Sequence, residues 1–200
     1  MNLAKRLSDI GAIQINTKNL FTWTSGIKSP IYCDNRLTIS YPDVRTLVGK
    51  QLSEKIRQLP EKVDFIAGCA TAGIPHAAWV ADELQLPMVY IRGSKKSHGK
   101  ENRIEGVAGE GQKAVVIEDL ISTGGSSIEA GKVLEDAGVK VEKVLSIFTY
   151  ELAQAADAFE EAGFAFDSLL TYSELMETLD LKEEEKEVLK KWRKDMNENR

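Results

Sequence analysis

Short apolar segments alternate with helical patterns through most of this chain, and this alternation restricts the fold more than any other feature of the sequence. The segments that read as strands are residues 63–67, 88–91, 114–117, 141–148 and 164–170. Helical spacing of apolar residues lies between most of them, for example over residues 127–137 and 152–162. Apolar strands separated by helices are typical of a parallel sheet covered on both faces. We therefore predict an α/β fold with a central, mostly parallel sheet flanked by helices.

The length of 200 residues fits a single domain, residues 1–200, in which three parts differ in pattern. Residues 1–40 contain short β-like pieces, residues 60–170 hold the α/β core, and residues 172–200 read as C-terminal helices. The last helix carries one apolar stripe, made of Val188, Leu189, Trp192 and Met196. We expect this helix to dock on the core through the stripe and to keep its charged face in water.

The composition disfavours several classes of protein. Hydrophobic residues make up 42% and charged residues 28% of the chain, which is typical of globular proteins. A net charge of -5 disfavours general nucleic-acid binding, which depends on neutralising phosphates. Cys33 and Cys69 form no CxxC pattern, and no apolar run approaches the ~18 residues that a membrane span needs. We expect a cytoplasmic protein that binds neither nucleic acid nor membrane.

Residues 115–126 carry the clearest functional signal. An apolar run leads into two carboxylates, Glu118 and Asp119, and small residues then lead into a helix. Ligands of open α/β sheets bind beyond the carboxyl ends of strands, where a helix N-terminus offers unpaired N–H groups to a phosphate. Gly124 and Gly125 allow the backbone to approach phosphate oxygens closely. Further hydroxyl donors are Thr123, Ser126 and Ser127.

The acidic pair indicates a ribose phosphate rather than a phosphate alone, because carboxylates repel phosphate. They can bind the 2′- and 3′-hydroxyls of a ribose whose 5′-phosphate lies in the turn, and their charge favours an oxocarbenium-like C1′. No lysine follows the glycines as in a Walker A loop, and GxGxxG is missing. Residues 123–126 alone would fit an ordinary capped strand–helix turn equally well. The order of all twelve residues favours the phosphate site.

Residues 92–103 form a basic segment in an acidic chain. Five cations and one anion give this segment a net charge of +4, so the rest of the chain sums to -9. Such a segment is either a solvated basic turn or a lid that closes over a polyanion and neutralises a leaving pyrophosphate. Coupled to the phosphate turn, the lid is favoured. His98 can protonate near neutral pH, whereas His76 follows Pro75 at a helix start, where we expect a structural role.

Residues 118–126 resemble the signature of the type I phosphoribosyltransferases, in which the acidic pair meets the ribose and the turn holds its 5′-phosphate. The resemblance implies that this segment binds phosphoribosyl pyrophosphate (PRPP) and that Asp119 stabilises the ribosyl cation. The residues implied are Glu118, Asp119, Leu120, Ile121, Ser122, Thr123, Gly124, Gly125 and Ser126. Mg²⁺ would be carried mainly by substrate oxygens, with no dedicated metal site on the protein.

The basic segment is similar to the lid of the orotate phosphoribosyltransferases. The resemblance implies that Arg92, Lys96 and His98 contact pyrophosphate, and that Lys96 and His98 act in catalysis together with Asp119. In that family the lid reaches into the neighbouring subunit's site. The resemblance therefore implies a homodimer with shared active sites.

Residues 21–32 are similar to the stretch by which that family selects orotate, with its Phe-Thr, Ser-Gly and Lys-Ser-Pro elements and an aromatic residue. This implies that residues 1–40 form a base-binding hood. The implied orotate contacts are Lys28, Tyr32, Cys33 and Ser122. Read without the resemblance, the same stretch fits a hairpin whose aromatic residues belong to the core. Residues 68–75 resemble the family's pyrophosphate-side loop.

Three positions depart from the family pattern. Thr24 stands where many members have lysine, Thr71-Ala72 replaces a Tyr-Lys pair, and Tyr150 replaces an arginine associated with orotate. The carboxylate of orotate would then need another partner, such as Lys28, Lys95 or backbone N–H groups.

The reaction implied is orotate plus PRPP giving orotidine 5′-monophosphate and pyrophosphate, a step toward UMP. One alternative is a phosphoribosyltransferase for another purine or pyrimidine base. The other is a non-catalytic, nucleotide-sensing regulator of the same fold. The intact acidic pair and basic segment disfavour the regulator.

Overall fold

The computed structural model describes residues 2–23, 26–93 and 103–198. Its strands are β1 (Ile13–Ile15), β2 (Phe21–Thr22), β3 (Lys28–Ser29), β4 (Ile31–Cys33), β5 (Phe65–Cys69), β6 (Met88–Ile91), β7 (Ile104–Glu105), β8 (Lys113–Ile121), β9 (Lys140–Thr149) and β10 (Phe166–Thr171). Its α-helices are α1 (Leu3–Asp9), α2 (Pro42–Arg57), α3 (Gly73–Leu84), α4 (Gly125–Asp136), α5 (Ala153–Ala162), α6 (Tyr172–Thr178) and α7 (Glu183–Glu198). A 3₁₀ helix covers Asn35–Ser40.

A six-stranded sheet forms the centre of the fold, in the order β10-β9-β8-β5-β6-β7. The first five strands of this order pair in parallel, and β7 adds an antiparallel edge to β6. The predicted α/β fold with a mostly parallel sheet is confirmed. The edge strand β7 was not predicted, because two residues are too few to show a strand pattern.

Helices cover both faces of the sheet because alternate residues of each strand point to opposite sides. On one face, Ile66 and Val115 belong to a core that α2 completes with residues such as Leu52. On the other face, Ala67 and Val116 join a second core with α4 and α5. Both sides of each central strand are therefore buried, which explains why these strands read as continuous apolar runs.

Strand β8 is longer than its apolar pattern predicted. The expected strand ended at residue 117, whereas β8 continues to Ile121, which pairs with Thr149 of β9. Pairing with β5 stops at Ile117. Among the described strands, the last four residues of β8 thus pair with β9 alone, and the acidic pair lies inside β8, past its pairing with β5.

The N-terminal segment contains two small antiparallel pairs, β1 with β4 and β2 with β3. At the other end of the chain, α7 buries Leu189 and Trp192, as its apolar stripe predicted, but Val188 is 39% exposed. The stripe is therefore narrower than the sequence indicated. Among the helices of the described residues, none combines the length and apolar character that crossing a membrane requires.

Candidate active site

Two adjacent carboxylates lie at the carboxyl end of β8, and one of them is tied to the helix that follows. Glu118 is buried. Its Oε1 accepts a hydrogen bond from the Asp119 N–H at 3.0 Å, and its Oε2 accepts one from the Ser126 hydroxyl at 3.1 Å. Ser126 lies in the first turn of α4, so these bonds fix the strand end relative to the helix N-terminus.

Burial makes the ionised forms of both acids costly. It raises the pKa of Glu118 from 4.5 to about 8, and the neighbouring Asp119 adds to that rise. Burial also raises the pKa of Asp119. Near neutral pH the pair therefore retains a proton more readily than two surface acids would. Hydrogen-bond donors or a developing positive charge placed against the pair would favour its ionised form.

Exchange of Glu118 for glutamine is expected to stabilise the fold more at pH 8 than at pH 5. Since the pKa of Glu118 is raised on folding, the wild-type chain loses stability as pH rises from about 4.5 to about 8, and the variant lacks this loss. We expect the difference in the free energy of unfolding between variant and wild type to grow by about 1–3 kcal/mol over this interval. Urea unfolding at both pH values measures it. A difference in the free energy of unfolding that did not change with pH would contradict the raised pKa of Glu118.

The turn between β8 and α4 has an open backbone face. Gly124 has φ +83°, and a Cβ there would lie 2.7 Å from Phe159 Cε2, so both conformation and space require glycine. A Cβ on Gly125 would meet nothing within 4 Å. The N-cap residue of α4 is Gly124, which has no side chain, and within the described part of the chain no side-chain cap is formed there. The N–H groups of its first turn are therefore available to an anion, as the sequence predicted.

Four residues with hydroxyl groups lie in or beside this turn, and they differ in solvent exposure. Ser122 and Thr123 are half-buried, and Ser126 is exposed. Ser127 is buried, and its Oγ has no hydrogen-bond partner among the described residues. The preceding Leu120 is half-buried and Ile121 is buried, so they offer a ligand mainly their backbone.

Asn35, which the sequence analysis missed, binds the acidic strand from the N-terminal segment. Its Nδ2 donates to the Asp119 carbonyl oxygen at 2.7 Å. The Thr38 hydroxyl donates to the Asn35 carbonyl oxygen at 2.6 Å and lies 3.4 Å from Nε2 of His76. His76 is buried, and burial lowers its pKa to about 4, which agrees with a structural role. The contact with Asp119 spans 84 residues, so no spacing signal could have predicted it.

Arg36 is a second residue that the sequence analysis missed. Its guanidinium donates two hydrogen bonds to Asp34, at 2.7 and 2.8 Å. Burial raises the pKa of Asp119, and the charge of Arg36 partly opposes this rise; Arg36 also interacts electrostatically with Tyr32. The sequence feature that could have indicated Arg36 is the Asp34-Asn35-Arg36 run directly after β4, the strand that contains Tyr32. Arg36 is thus a cation close to both the acidic pair and the expected base-binding residues.

Three of the four expected base-binding residues, Lys28, Tyr32 and Cys33, lie on the two small strand pairs, and the fourth, Ser122, directly follows β8. Tyr32 is half-buried, with its ring 5.7 Å from that of Phe21, whereas Cys33 is buried. Burial, followed by the charge of Asp119, raises the pKa of the Cys33 thiol. Lys28 is exposed, and its Nζ donates to the Thr22 hydroxyl at 2.6 Å.

Tyr150 is buried and packs against the N-terminal segment. Its ring lies 4.7 Å from that of Trp23, and burial, followed by the proximity of Cys33, raises the pKa of its hydroxyl. An uncharged aromatic side chain therefore occupies the position at which the resemblance leads us to expect an arginine.

The base of the basic segment is held firmly, although Lys95, Lys96 and His98 lie outside the described residues. The Arg92 N–H donates to the Arg103 carbonyl oxygen at 2.9 Å. Arg103 in turn donates from Nε and Nη2 to the Arg92 carbonyl oxygen, at 3.0 and 2.8 Å, and from Nη1 to Glu129 of α4 at 2.6 Å. Both ends of the segment are therefore linked to the helix of the phosphate turn.

The pyrophosphate-side loop adjoins the acidic strand. A Cβ on Gly73 would lie 2.4 Å from the Ile117 carbonyl oxygen, so the N-terminus of α3 packs directly against β8. Arg92 follows β6, which is separated from β8 by β5. The structure thus brings the acidic pair, the glycine turn, Asn35 and Arg36 together, whereas Arg92 follows a strand two places away in the sheet.

The described residues contain no group of three or more histidine, cysteine or acidic side chains that could enclose a metal ion. Mg²⁺ commonly retains several waters and binds through one or two carboxylates together with substrate phosphates. Glu118 and Asp119 supply two carboxylates beside the phosphate turn. This donor set fits an ion that arrives with a phosphorylated substrate.

Comparison with known proteins agrees with this geometry. Residues 41–161 match the model of the phosphoribosyl transferase domain. Orotate phosphoribosyltransferase of Oceanobacillus iheyensis is 54% identical over 97% of this chain and 98% of its own length. The enzyme of the same name from Listeria monocytogenes is 53% identical over 96% of this chain and 94% of its own. The crystal structure of orotate phosphoribosyltransferase from Aeropyrum pernix superposes with a TM-score of 0.78, at 28% identity, covering 88% of this chain and 97% of that one.

Proposed function

We propose, from the premise that this chain belongs to the orotate phosphoribosyltransferase family, that it transfers the ribose 5-phosphate group of PRPP to orotate. The products are orotidine 5′-monophosphate and pyrophosphate, and the reaction belongs to the pyrimidine pathway that leads to UMP. The observation that carries the proposal is the juxtaposition of an acidic pair, the buried Glu118 and the half-buried Asp119, with a glycine-lined helix N-terminus at the end of β8.

In this mechanism the turn from Ser122 to Ser126 binds the 5′-phosphate through backbone N–H and hydroxyl groups. Glu118 and Asp119 accept hydrogen bonds from the ribose hydroxyls. Glu118 is buried and Asp119 half-buried, so water screens them little and their negative charge acts strongly on the positive charge that develops at C1′. Asn35 holds the Asp119 backbone and so fixes the distance of the carboxylate from the sugar.

The leaving group is neutralised by cations. Arg92, Lys96 and His98 contact pyrophosphate, with Lys96 and His98 supplying charge and a proton donor as the C1′–oxygen bond breaks. Mg²⁺, if carried by the substrate oxygens with Glu118 and Asp119 as the nearby carboxylates, would supply further neutralisation of the pyrophosphate. The protein is a homodimer in which the basic segment of one subunit serves the site of the other. Both cysteines are free thiols, which suits the cytoplasm as its location.

Orotate occupies the space between the N-terminal segment and the phosphate turn. Tyr32 covers one face of the pyrimidine, Cys33 lies behind it, and Ser122 contacts it from the turn. Lys28 is one cation for the orotate carboxylate, and Arg36 is the other. The electrostatic interactions of Arg36 with Tyr32 and Asp119 support this role, and it compensates for the arginine that Tyr150 replaces.

A panel of bases assayed with PRPP and Mg²⁺ tests the proposed function. We expect pyrophosphate release and nucleotide formation with orotate, and a kcat/KM for uracil, adenine and hypoxanthine lower by about 10³-fold or more, because these bases lack the carboxylate and leave its cations unpaired. A higher kcat/KM with one of the other bases would identify a different transferase. Nucleotide binding without turnover on any base would indicate a regulator.

A further inference from the structure

The β2–β3 hairpin is too small to hold its own conformation. Each strand has two residues, and the register pairs Phe21 with Ser29 and Thr22 with Lys28. An isolated two-stranded hairpin is marginally stable at best in water. The hairpin nevertheless carries Lys28 and contacts Tyr32 through Phe21. Its position must therefore be set by groups outside it.

Trp192 of the C-terminal helix α7 supplies such support. Its indole Nε1 donates to the carbonyl oxygen of Lys28 at 2.9 Å, across 164 residues of sequence. Its ring lies 5.6 Å from that of Trp23, in an edge-to-face arrangement, and 6.1 Å from that of Tyr150. Trp192 thus contacts both the hairpin and the core residue beneath it.

Helix α7 is itself fixed to the carboxyl edge of the central sheet. The Tyr172 hydroxyl donates to the Leu189 carbonyl oxygen at 2.9 Å. Near the end of the helix, Asn197 Oδ1 accepts from the Ala153 N–H at 2.9 Å, and Arg193 Nη1 donates to Glu151 at 2.9 Å. Glu151 and Ala153 follow β9, whose neighbour β8 carries the acidic pair. Helix α7 therefore links the β2–β3 hairpin to the end of β9, beside the end of β8 where the ribose is expected to bind.

We propose that Trp192 is a positioning residue for the base, and that α7 holds the base-binding hairpin at a fixed distance from the ribose site. The inference rests on the proposed function, since it assigns the hairpin to orotate. Trp192 acts through Lys28 and Trp23 and does not touch the reacting atoms. Its loss should weaken base recognition, because its contacts are with Lys28, Trp23 and Tyr150, while the phosphate turn at the start of α4 keeps its affinity for PRPP.

Trp192→Phe tests this inference, because phenylalanine keeps an aromatic ring and removes the N–H donor. We expect KM for orotate to rise about fivefold, the effect typical of one lost neutral hydrogen bond, while KM for PRPP stays unchanged. Trp192→Ala also removes the ring contacts and should raise KM for orotate further. The matched control is Trp79→Phe, the same change at a tryptophan of α3 that packs on His76 and Arg45. In the control both KM values should match those of the wild type.

Amide hydrogen exchange of residues 21–32 provides a readout that does not depend on turnover. Exchange should be faster in Trp192→Phe than in the wild type and unchanged in Trp79→Phe. Equal rises of both KM values, or wild-type exchange rates in Trp192→Phe, would overturn the inference. A wild-type protein without orotate transferase activity would contradict the proposed function, and hydrogen exchange would then decide the positioning role alone.

Discussion

Exchange of Asp119 for asparagine is expected to lower kcat for ribosyl transfer by about 10²–10³-fold, the loss typical of removing one pre-organised electrostatic group from a transition state. The substitution keeps the shape of the side chain and removes the charge that favours a cationic C1′. The hydrogen bond from Asn35 goes to the main-chain oxygen of residue 119, so the local backbone keeps this support. Nucleotide formation under saturating substrates measures kcat.

The matched control is Asp136→Asn, the same change at an exposed position of α4. It should keep the kcat of the wild type. The dissociation constant for PRPP, measured separately, distinguishes lost catalysis from lost binding. If Asp119→Asn retained wild-type kcat, the acidic pair would have no part in stabilising the ribosyl cation.

Exchange of Lys96 for alanine is expected to lower turnover by about 10²-fold while orotate binding changes little. Lys96 lies outside the described residues, so this expectation rests on the resemblance of residues 92–103 to the family's lid. A cation that meets the leaving pyrophosphate acts chiefly in the transition state, where negative charge accumulates on the departing oxygen. Steady-state kinetics measure turnover, and calorimetry measures the dissociation constant for orotate. Lys132→Ala, on an exposed part of α4, is the control.

The proposed sharing of active sites between subunits gives these two variants a joint consequence. If the basic segment of one subunit serves the site of the other, a heterodimer of Asp119→Asn with Lys96→Ala contains one doubly substituted site and one wild-type site. Co-expression of the two inactive chains should therefore restore a substantial part of the wild-type activity. Activity that stayed at the level of the separate variants would place both residues of a site on the same subunit.

Features encoded locally could be predicted from the sequence. The apolar runs at 88–91 and 141–148 predicted β6 and β9, because residues buried on both faces leave a continuous pattern. The small residues from Thr123 to Ser126 predicted an open turn before a helix, because their chemistry is specific to such turns. A stripe with helical spacing predicted that Trp192 would be buried.

Features decided by distant partners could not be predicted. The acidic pair interrupts the apolar pattern of β8, and only the long pairing with β9 keeps those residues in the strand. Nothing near Asn35 indicates that its amide binds a backbone oxygen of residue 119. Burial of Trp192 likewise did not reveal its bond to Lys28. In each case the partner is more than eighty residues away or belongs to another element.

Because Arg103 hydrogen-bonds to the backbone of Arg92, we expect that the stretch between residues 93 and 103 can be exchanged for that of a relative. The Arg103 guanidinium and the backbone bond from Arg92 link the two ends of this stretch directly. Stretches of other lengths or compositions could therefore be transplanted from relatives while the sheet and α4 keep their arrangement. Chimaeras that preserve Arg103 and Glu129 would allow leaving-group chemistry to be tuned separately from choice of base.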